Sequence, residues 1–526
     1  MKKSTKLVAT VLAAAIAVSV GAACGKNSDT SDTLVITAAK LGYGLEWLNE
    51  MADGWSAKTG NKVKIVQKVG TTGNNAIAEE IDSLASSSDI FIYRTADYAT
   101  NVYQGEVKHA GATYGCVYLD LTDVYGSTID GESVTLGDKI VDKYKTALSV
   151  NGKYYAVPWI EGTMGLMRNV TLWNKLGLTD ADVPLTTDQL KTTCDKILDA
   201  TASDRRYQNV APFIYSAEDE YYTSFIPIWF AQYEGTGNTE RYKQGLDPDG
   251  KLSKNIFNYA GFEEMFNVIS DLLDKDNGYQ HSKSSSLNFT DMQGQFLMEQ
   301  AVFCVNGAWI EIEMGNSFPD VNIDYVKTPV ISALVKKTSF YDKNDTTGAN
   351  DEKLAALVKY VDEHASGYDG KPDFATQADV DIVRDARKYG YTTLSSTHVL
   401  VGSSYSAKTE MIKSFIKYMY SDQGLDVYYG ATGGARLPAK RSSGNYSADV
   451  AVSDFKKSVN AIDGDEILVF ASTAKLFSTG GVSMRALNGV TNYISAFADK
   501  KMTPRQVVQK NQQYVSDNWA VIVSKI

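Results

Sequence analysis

Residues 34–93 switch repeatedly between two hydrophobic periods, and that alternation restricts the fold more than any other feature of the chain. A short β-prone run at 34–37 (LVIT) is followed by Leu45, Leu48, Ala52 and Trp55 at helical spacing, and Thr59-Gly60 predicts the helix stop. A second strand is predicted at 63–66 (VKIV). Ile77, Ile81, Leu84 and Ala85 mark a second helix, and Asp89 leads into the apolar run 90–93 (IFIY), which reads as a buried strand. Such alternation argues for a parallel sheet covered by helices on both faces, so the predicted class is α/β. A mature chain of roughly 500 residues predicts more than one core.

The amino terminus sets the compartment. Lys2, Lys3 and Lys6 precede an apolar run at 7–20, which breaks into Gly21, Ala22 and Ala23 before Cys24. This is the pattern of a secretory signal. The run is too short to span a bilayer, and no later stretch reaches about 18 uncharged apolar residues. Small residues ahead of a cysteine resemble the lipobox of bacterial lipoproteins, although Gly21 stands where Leu is usual. That resemblance implies removal of 1–23, lipidation of Cys24, and a polar tether over 24–32 that holds the domain off the extracytoplasmic face of the membrane.

Composition and motifs exclude several functions. Net charge is −11, or −14 once the three signal lysines are removed, which disfavours nucleic acid as a partner. Cys116, Cys194 and Cys304 are widely spaced and read as buried thiols. The four histidines (His109, His281, His364, His398) stand singly, so no metal site is predicted. The segment 245–251 has P-loop glycine and lysine spacing but Leu252 where a hydroxyl is needed, and 274–278 lacks the further ligands of an EF-hand. G-x-S-x-G is absent. A carboxylate pair for glycoside hydrolysis stays open, because 63 Asp and Glu give many combinations. No cofactor is expected. Tyrosine, with 32 copies against 18 Phe, suits polar ligands that have apolar faces.

Ligands of open α/β sheets sit beyond the carboxyl ends of the strands. Two loops qualify by that rule: 39–44, with Lys40 and Tyr43, and 94–97, with Arg94 and Asp97. Downstream the elements read as mainly helical. The polar segment 341–352 leads into Leu354, Leu357, Val358 and Val361 at helical spacing, so 340–392 reads as a helical insertion. The last helix opens at Thr503-Pro504, with Val508, Val515, Trp519 and Ile522 along one side.

Several segments taken in order resemble the extracellular solute-binding proteins of carbohydrate importers, the family that contains maltose-binding protein. They are the start 34–66, "SDIFIYR", "YLDLTDVY", "VNGKYYAVPW" ending at Trp159, "GLMRNVTLWNKLGL", "QFLMEQAVFCVNGAW" ending at Trp309, "KTEMIKSFIKYMYSDQG" and "GATGGARLPAK". Arg168 replaces the family's usual tyrosine. The resemblance implies two discontinuous lobes, each a mostly parallel sheet flanked by helices, hinged around a ligand cleft. The expected division is 33–158 with 303–396 in the first lobe and 159–302 with 397–526 in the second, with crossings near Pro158, Phe303 and Thr397. It also implies a carbohydrate ligand, an oligosaccharide in this reading, delivery to ABC permease subunits, a monomer, and no catalysis. By position in the matching segments, Lys40, Tyr43, Arg94, Asp97, Trp159, Glu161, Trp309, Glu311 and Arg436 become ligand-binding candidates. Trp229 and Tyr233 are added by composition, whereas helical spacing assigns Trp55 and Trp173 to the core.

Three rival readings remain at this level: a non-sugar or anionic solute clamped by Arg94, Arg168 and Arg436; a surface-anchored glycoside hydrolase; and a sensor or adhesin.

Overall fold

The computed structural model describes residues 32–526 apart from 96–97, 161–162, 219–221, 223–224, 321, 393–397, 464–467, 470–473 and 478–479. The opening elements are β1 (Thr33–Lys40), α1 (Glu46–Thr59), β2 (Lys62–Val69), α2 (Gly70–Asp82) and β3 (Ile90–Arg94). β1 pairs in parallel with β2 and β3. Alternate residues of β3 serve opposite faces: Ile90 and Ile92 pack with Trp47, Leu48 and Trp55 of α1, while Phe91 and Tyr93 pack with Ile77 and Ile81 of α2. The predicted helix through Ala85 stops earlier, at Asp82. α1 ends on Gly60 at φ +78°, whose N–H donates to Ser56 O, a left-handed cap that glycine adopts without a Cβ penalty.

The chain leaves the first sheet after β4 (Val157–Pro158) and enters a second with β5 (Thr163–Asn169). The second lobe continues through β6 (Ala211–Ile214), α3 (Phe225–Glu234), α4 (Gly261–Leu273), α5 (Phe289–Leu297), β7 (Ala301–Gly307), α6 (Ile310–Met314), β8 (Ile323–Val326), α7 (Ala349–Glu363), α8 (Gln377–Arg387) and β9 (Tyr391–Thr392). β10 (His398–Gly402), α9 (Thr409–Tyr420) and α10 (Asp422–Ala431) return to the first lobe. The second lobe is completed by α11 (Asp454–Asp463), β11 (Leu468–Val469), α12 (Met484–Thr491), α13 (Tyr493–Ala498) and α14 (Pro504–Ser524).

Strand order is β2-β1-β3-β10-β4 in the first sheet and β6-β7-β5-β9-β11 in the second, with β8 also on β5. In the first sheet β10 runs against its neighbours; in the second β5 does. Each is the strand by which the chain enters that sheet from the other lobe. The parallel strands point their carboxyl ends at the cleft, so a strand arriving from across it must run the opposite way.

The lobe boundaries differ from the expected ones. Residues 303–307 form β7 inside the second sheet, so the chain does not cross near Phe303. The crossing near Thr397 runs from the second lobe to the first, and a third lies between Tyr446, which packs on the first lobe, and α11. Helices α7 and α8 occupy the 340–392 segment but pack into the second-lobe core through Leu354, Leu357, Val358, Val380 and Val383. Arg387 fixes them by a two-pronged bond to Asp362 and a third bond to Thr328 O. The reason for the error is that β10 and β3 pair across some 300 residues of chain, and hydrophobic period carries no information about partners so far apart.

The second-lobe core is aromatic. Phe230 stacks on Phe262 with centroids 4.5 Å apart, and Tyr242 meets Phe262 edge-on at 5.3 Å. Trp229 is wholly buried, with Nε1 donating to Pro329 O at 3.1 Å. Its ring is therefore a core group and not the cleft residue expected from composition. The three described cysteines are buried thiols.

Contacts among the described residues join the lobes directly. Lys456 of α11, 1% exposed, donates from Nζ to Ala308 O at 2.7 Å and lies 4.9 Å from the centroid of the Tyr43 ring in the first lobe. One turn on, Asn460 Nδ2 donates to Gly434 O at 3.3 Å. Trp309, which follows β7, packs on the first-lobe core, and a Cβ on Gly42 would lie 2.7 Å from its Cγ.

Two predictions follow from this packing. Trp229→Ala removes a wholly buried indole and is expected to cost about 3–5 kcal/mol in denaturant unfolding, with the loss in the second lobe. Lys456→Met removes a buried ammonium–ring contact of about 2 kcal/mol between lobes. X-ray scattering of the ligand-free variant should give a larger radius of gyration than the parent; equal radii would show that the contact does not hold the lobes together.

Candidate functional site

The carboxyl ends of β1 and β3 face that of β7 across the cleft. After β1 the chain turns at Leu41, whose carbonyl accepts from Gly44 N at 2.8 Å. This places Lys40 in solvent and folds the Tyr43 ring inward, 4% exposed, beneath the Lys456 ammonium. After β3, the buried Asn74 side chain grips the backbone of Arg94 at both groups, accepting from its N–H at 2.7 Å and donating to its C=O at 2.8 Å. The Arg94 side chain is left exposed at the rim.

Asn306 and Gly307 end β7. Asn306 Oδ1 accepts from Gly307 N at 2.7 Å, and Gly307 has no side chain to obstruct the Trp309 indole: a Cβ there would lie 2.2 Å from Cη2 and Cζ2. The half-buried ring thus lies over Gly307 with its Cβ edge toward Gly42 of the opposite lobe. Trp309 begins α6, whose Ile310 packs on the second-lobe core while Ile312 packs on the first. Glu311 and Glu313 project from the same helix. Glu311 is half-buried. Glu313 is exposed to water. Desolvation among its neighbours pushes its carboxyl up to about 7, opposed by a 2.7 Å bond from Gln293 Nε2.

The sequence-predicted residues divide. Lys40, Tyr43, Arg94, Trp309 and Glu311 lie on the loops that meet at the cleft. Trp159 does not: it is 1% exposed and stacks on Trp47 at 5.7 Å with planes 11° apart, its other side meeting His398 edge-on at 5.7 Å. The family phrase puts it at the crossing, but its ring turns into the first-lobe core. Arg436 belongs to the first lobe, not the second, with its guanidinium 5.6 Å from the Tyr446 ring centroid and its buried Nε lacking a hydrogen bond. Arg168 is committed to Asp324 through two bonds of 3.1 and 2.5 Å and covers Trp173 at 4.7 Å, so it does not clamp a ligand. Asp97, Glu161 and Cys24 lie outside the described residues. Lys456, Glu313, Gln293 and Asn306 were missed; the one available signal was the four-residue spacing of Glu313 from Trp309, which puts both on one helix face.

A cavity of about 810 Å³ opens beyond β6, lined in part by Tyr215, Glu218, Tyr222, His281, Asn488 and Asn492. Ile214, the last residue of β6, pairs with Cys304 of β7. Tyr215 donates from its hydroxyl to Gln280 Oε1 at 2.8 Å. Burial, with Lys283 nearby, holds the His281 imidazole below its ordinary range and keeps it neutral. The lining mixes aromatic rings, amides and hydroxyls with the charged Glu218, Lys275 and Asp499. Among the described residues no three His, Cys, Asp or Glu side chains are grouped to hold a metal ion, and no helix is long and apolar enough to cross a membrane.

Solved structures share this architecture. The bacterial solute receptor AcbH, with a substrate preference for β-D-galactopyranose, is 12% identical with a TM-score of 0.61, the match covering 92% of this chain and 99% of that one. A protein of xylan utilization from Caldanaerobius polysaccharolyticus is 16% identical at 0.59, again over 92% and 99%. Maltose-bound MalE3 of T. maritima is 14% identical at 0.57, with the same coverage. No curated protein sequence matches the chain significantly. The family model for bacterial extracellular solute-binding proteins matches residues 50–458, so this chain, with its two α/β lobes meeting at Trp309, belongs to that family.

Proposed function

We propose that this protein is the substrate-binding subunit of an ABC importer, capturing a carbohydrate, in our reading an oligosaccharide, by lobe closure and delivering it to a membrane permease. The observation that carries the reading is the Trp309 indole lying between the lobes beside carboxylates and amides. A sugar presents an apolar face ringed by hydroxyls, and an aromatic platform with polar groups at its rim meets both. Proteins of the same fold bind galactopyranose, maltose and raffinose. Closure is favoured by whatever binding energy the ligand gains in the closed state over the open one.

In the same reading, the lysine-rich apolar segment exports the chain, Cys24 carries the lipid anchor, and 25–32 tether a monomeric receptor to the extracytoplasmic face. Catalysis forms no part of it. An anionic solute is a weaker reading, because Arg168 is already neutralised by Asp324.

The test is thermal unfolding of the chain from Ser28 onward against mono- and oligosaccharides, sugar acids and peptides. A ligand that binds only the folded state raises the melting temperature, by RT ln(1 + [L]/Kd) in free energy. One glycan class should raise it, and Trp309→Ala should weaken that binding roughly ten- to hundredfold through loss of the stacking face. A rise confined to sugar acids or peptides would favour the anionic reading, and release of reducing sugar would make the protein a hydrolase.

A further inference from the structure

Glu313 combines three properties that a structural carboxylate on a short helix does not need. It sits four residues after Trp309, with its N–H bonded to Trp309 O at 3.0 Å, so it shares the face of α6 that carries the platform. It keeps contact with solvent. And it is backed by two wholly buried amides: Gln293 Nε2 donates to Glu313 Oε2 at 2.7 Å and approaches Asn306 Oδ1 at 3.4 Å. Both amides hold capacity in reserve, for Gln293 Oε1 and Asn306 Nδ2 make no hydrogen bond. Unsatisfied buried groups of this kind are costly unless the site uses them.

We propose that Glu313 is a ligand-contacting residue of the cleft, its carboxylate accepting hydroxyl hydrogens from the carbohydrate seated on Trp309, with Gln293 and Asn306 as its buried support. The assignment rests on the reading of the cleft as a carbohydrate site. Desolvation among its neighbours raises the carboxyl of the free protein to about 7, opposed by the Gln293 bond. The protonated form offers one fewer acceptor to a sugar, so binding selects the carboxylate and expels the proton to solvent. Gln293 can serve either state, donating Nε2 to the carboxylate or turning Oε1 to accept from the acid. Charged residues on the adjoining elements are Asp291 at the start of α5, Glu311 on α6 and Lys456 on α11, with Lys40 at the end of β1. None of them is among the influences on Glu313, which are burial and the Gln293 bond.

The experiment is titration calorimetry of the chain from Ser28 onward and of Glu313→Gln with maltose, raffinose, xylobiose and galactose between pH 5.5 and 8.5. For a sugar that binds, affinity of the parent should fall from pH 8.5 to 5.5 by up to roughly thirtyfold, the limit set by loss of carboxylate from a group titrating near 7. Glu313→Gln should bind weakly and without pH dependence. A parent that binds equally at all pH values, or a variant that keeps the pH dependence, overturns the assignment while leaving the carbohydrate reading intact. If none of the four sugars binds at any pH, the carbohydrate reading fails and takes the assignment with it. Unfolding without ligand checks the titration separately. The folded-state value lies above the unfolded one of about 4.5, so the native state holds the extra proton between them, and its stabilising effect is lost as pH rises through about 7. The parent should lose melting temperature relative to Glu313→Gln between pH 5 and 8; parallel curves would show that the carboxyl does not titrate there and that any pH dependence of binding comes from another group.

Discussion

Trp309 can lie over Gly307 only because that residue has no side chain, and it can approach the opposite lobe only because Gly42 has none either. A Cβ at either position would fall within 2.8 Å of the indole or its own Cβ. The two glycines come from different sheets, one just after β1 and the other at the end of β7, so the closest approach of the lobes is set by backbone against a single ring. The remaining architecture follows from bringing these two loops together. Parallel strands aim their carboxyl ends at the gap, and the strands that arrive from the other lobe run in reverse, in both sheets.

The contacts around that ring are polar and buried. Lys456 is almost without solvent, held by Ala308 O and facing the Tyr43 ring, and Asn460 reaches the carbonyl of Gly434. Such groups are expensive to bury unpaired and hold well when paired. An interface of this kind differs from the cores on either side, where Phe230 and Phe262 in one lobe and Trp47 and Trp159 in the other pack rings together. Separating the lobes would expose these polar groups, the Tyr43 and Trp309 rings and Ile312, far less apolar surface than opening either core.

The first sheet was legible because its order is written locally: strands and helices alternate over 60 residues, and each period change marks an element. The lobe boundaries were not, since β10 pairs with β3 and β4 from far along the chain and a strand's period does not name its partner. Strand ends and the family phrases put Lys40, Arg94 and Trp309 at the facing ends of the two sheets, whereas the Tyr43 ring turns inward beneath Lys456. Trp159 misled because its place on the crossing fixes the backbone but not the side to which the ring turns, and Trp47 on α1 claims it. Lys456 was invisible: a lone lysine in an amphipathic helix reads as a solvated charge, and only the tertiary structure shows it buried. Glu313 left a trace, its spacing from Trp309, but no spacing could reveal the buried amides behind it.

The account stands or falls on whether a single ligand engages both walls of the cleft at once. Hydrogen exchange measured by mass spectrometry, with and without a saturating sugar, tests this without assuming which residues bind. The account predicts protection at 40–45 and 434–446 in the first lobe together with 305–314 in the second, while the outer helices α4 and α14 exchange unchanged. Protection confined to one lobe, or to the cavity beyond β6 alone, would contradict capture between the lobes.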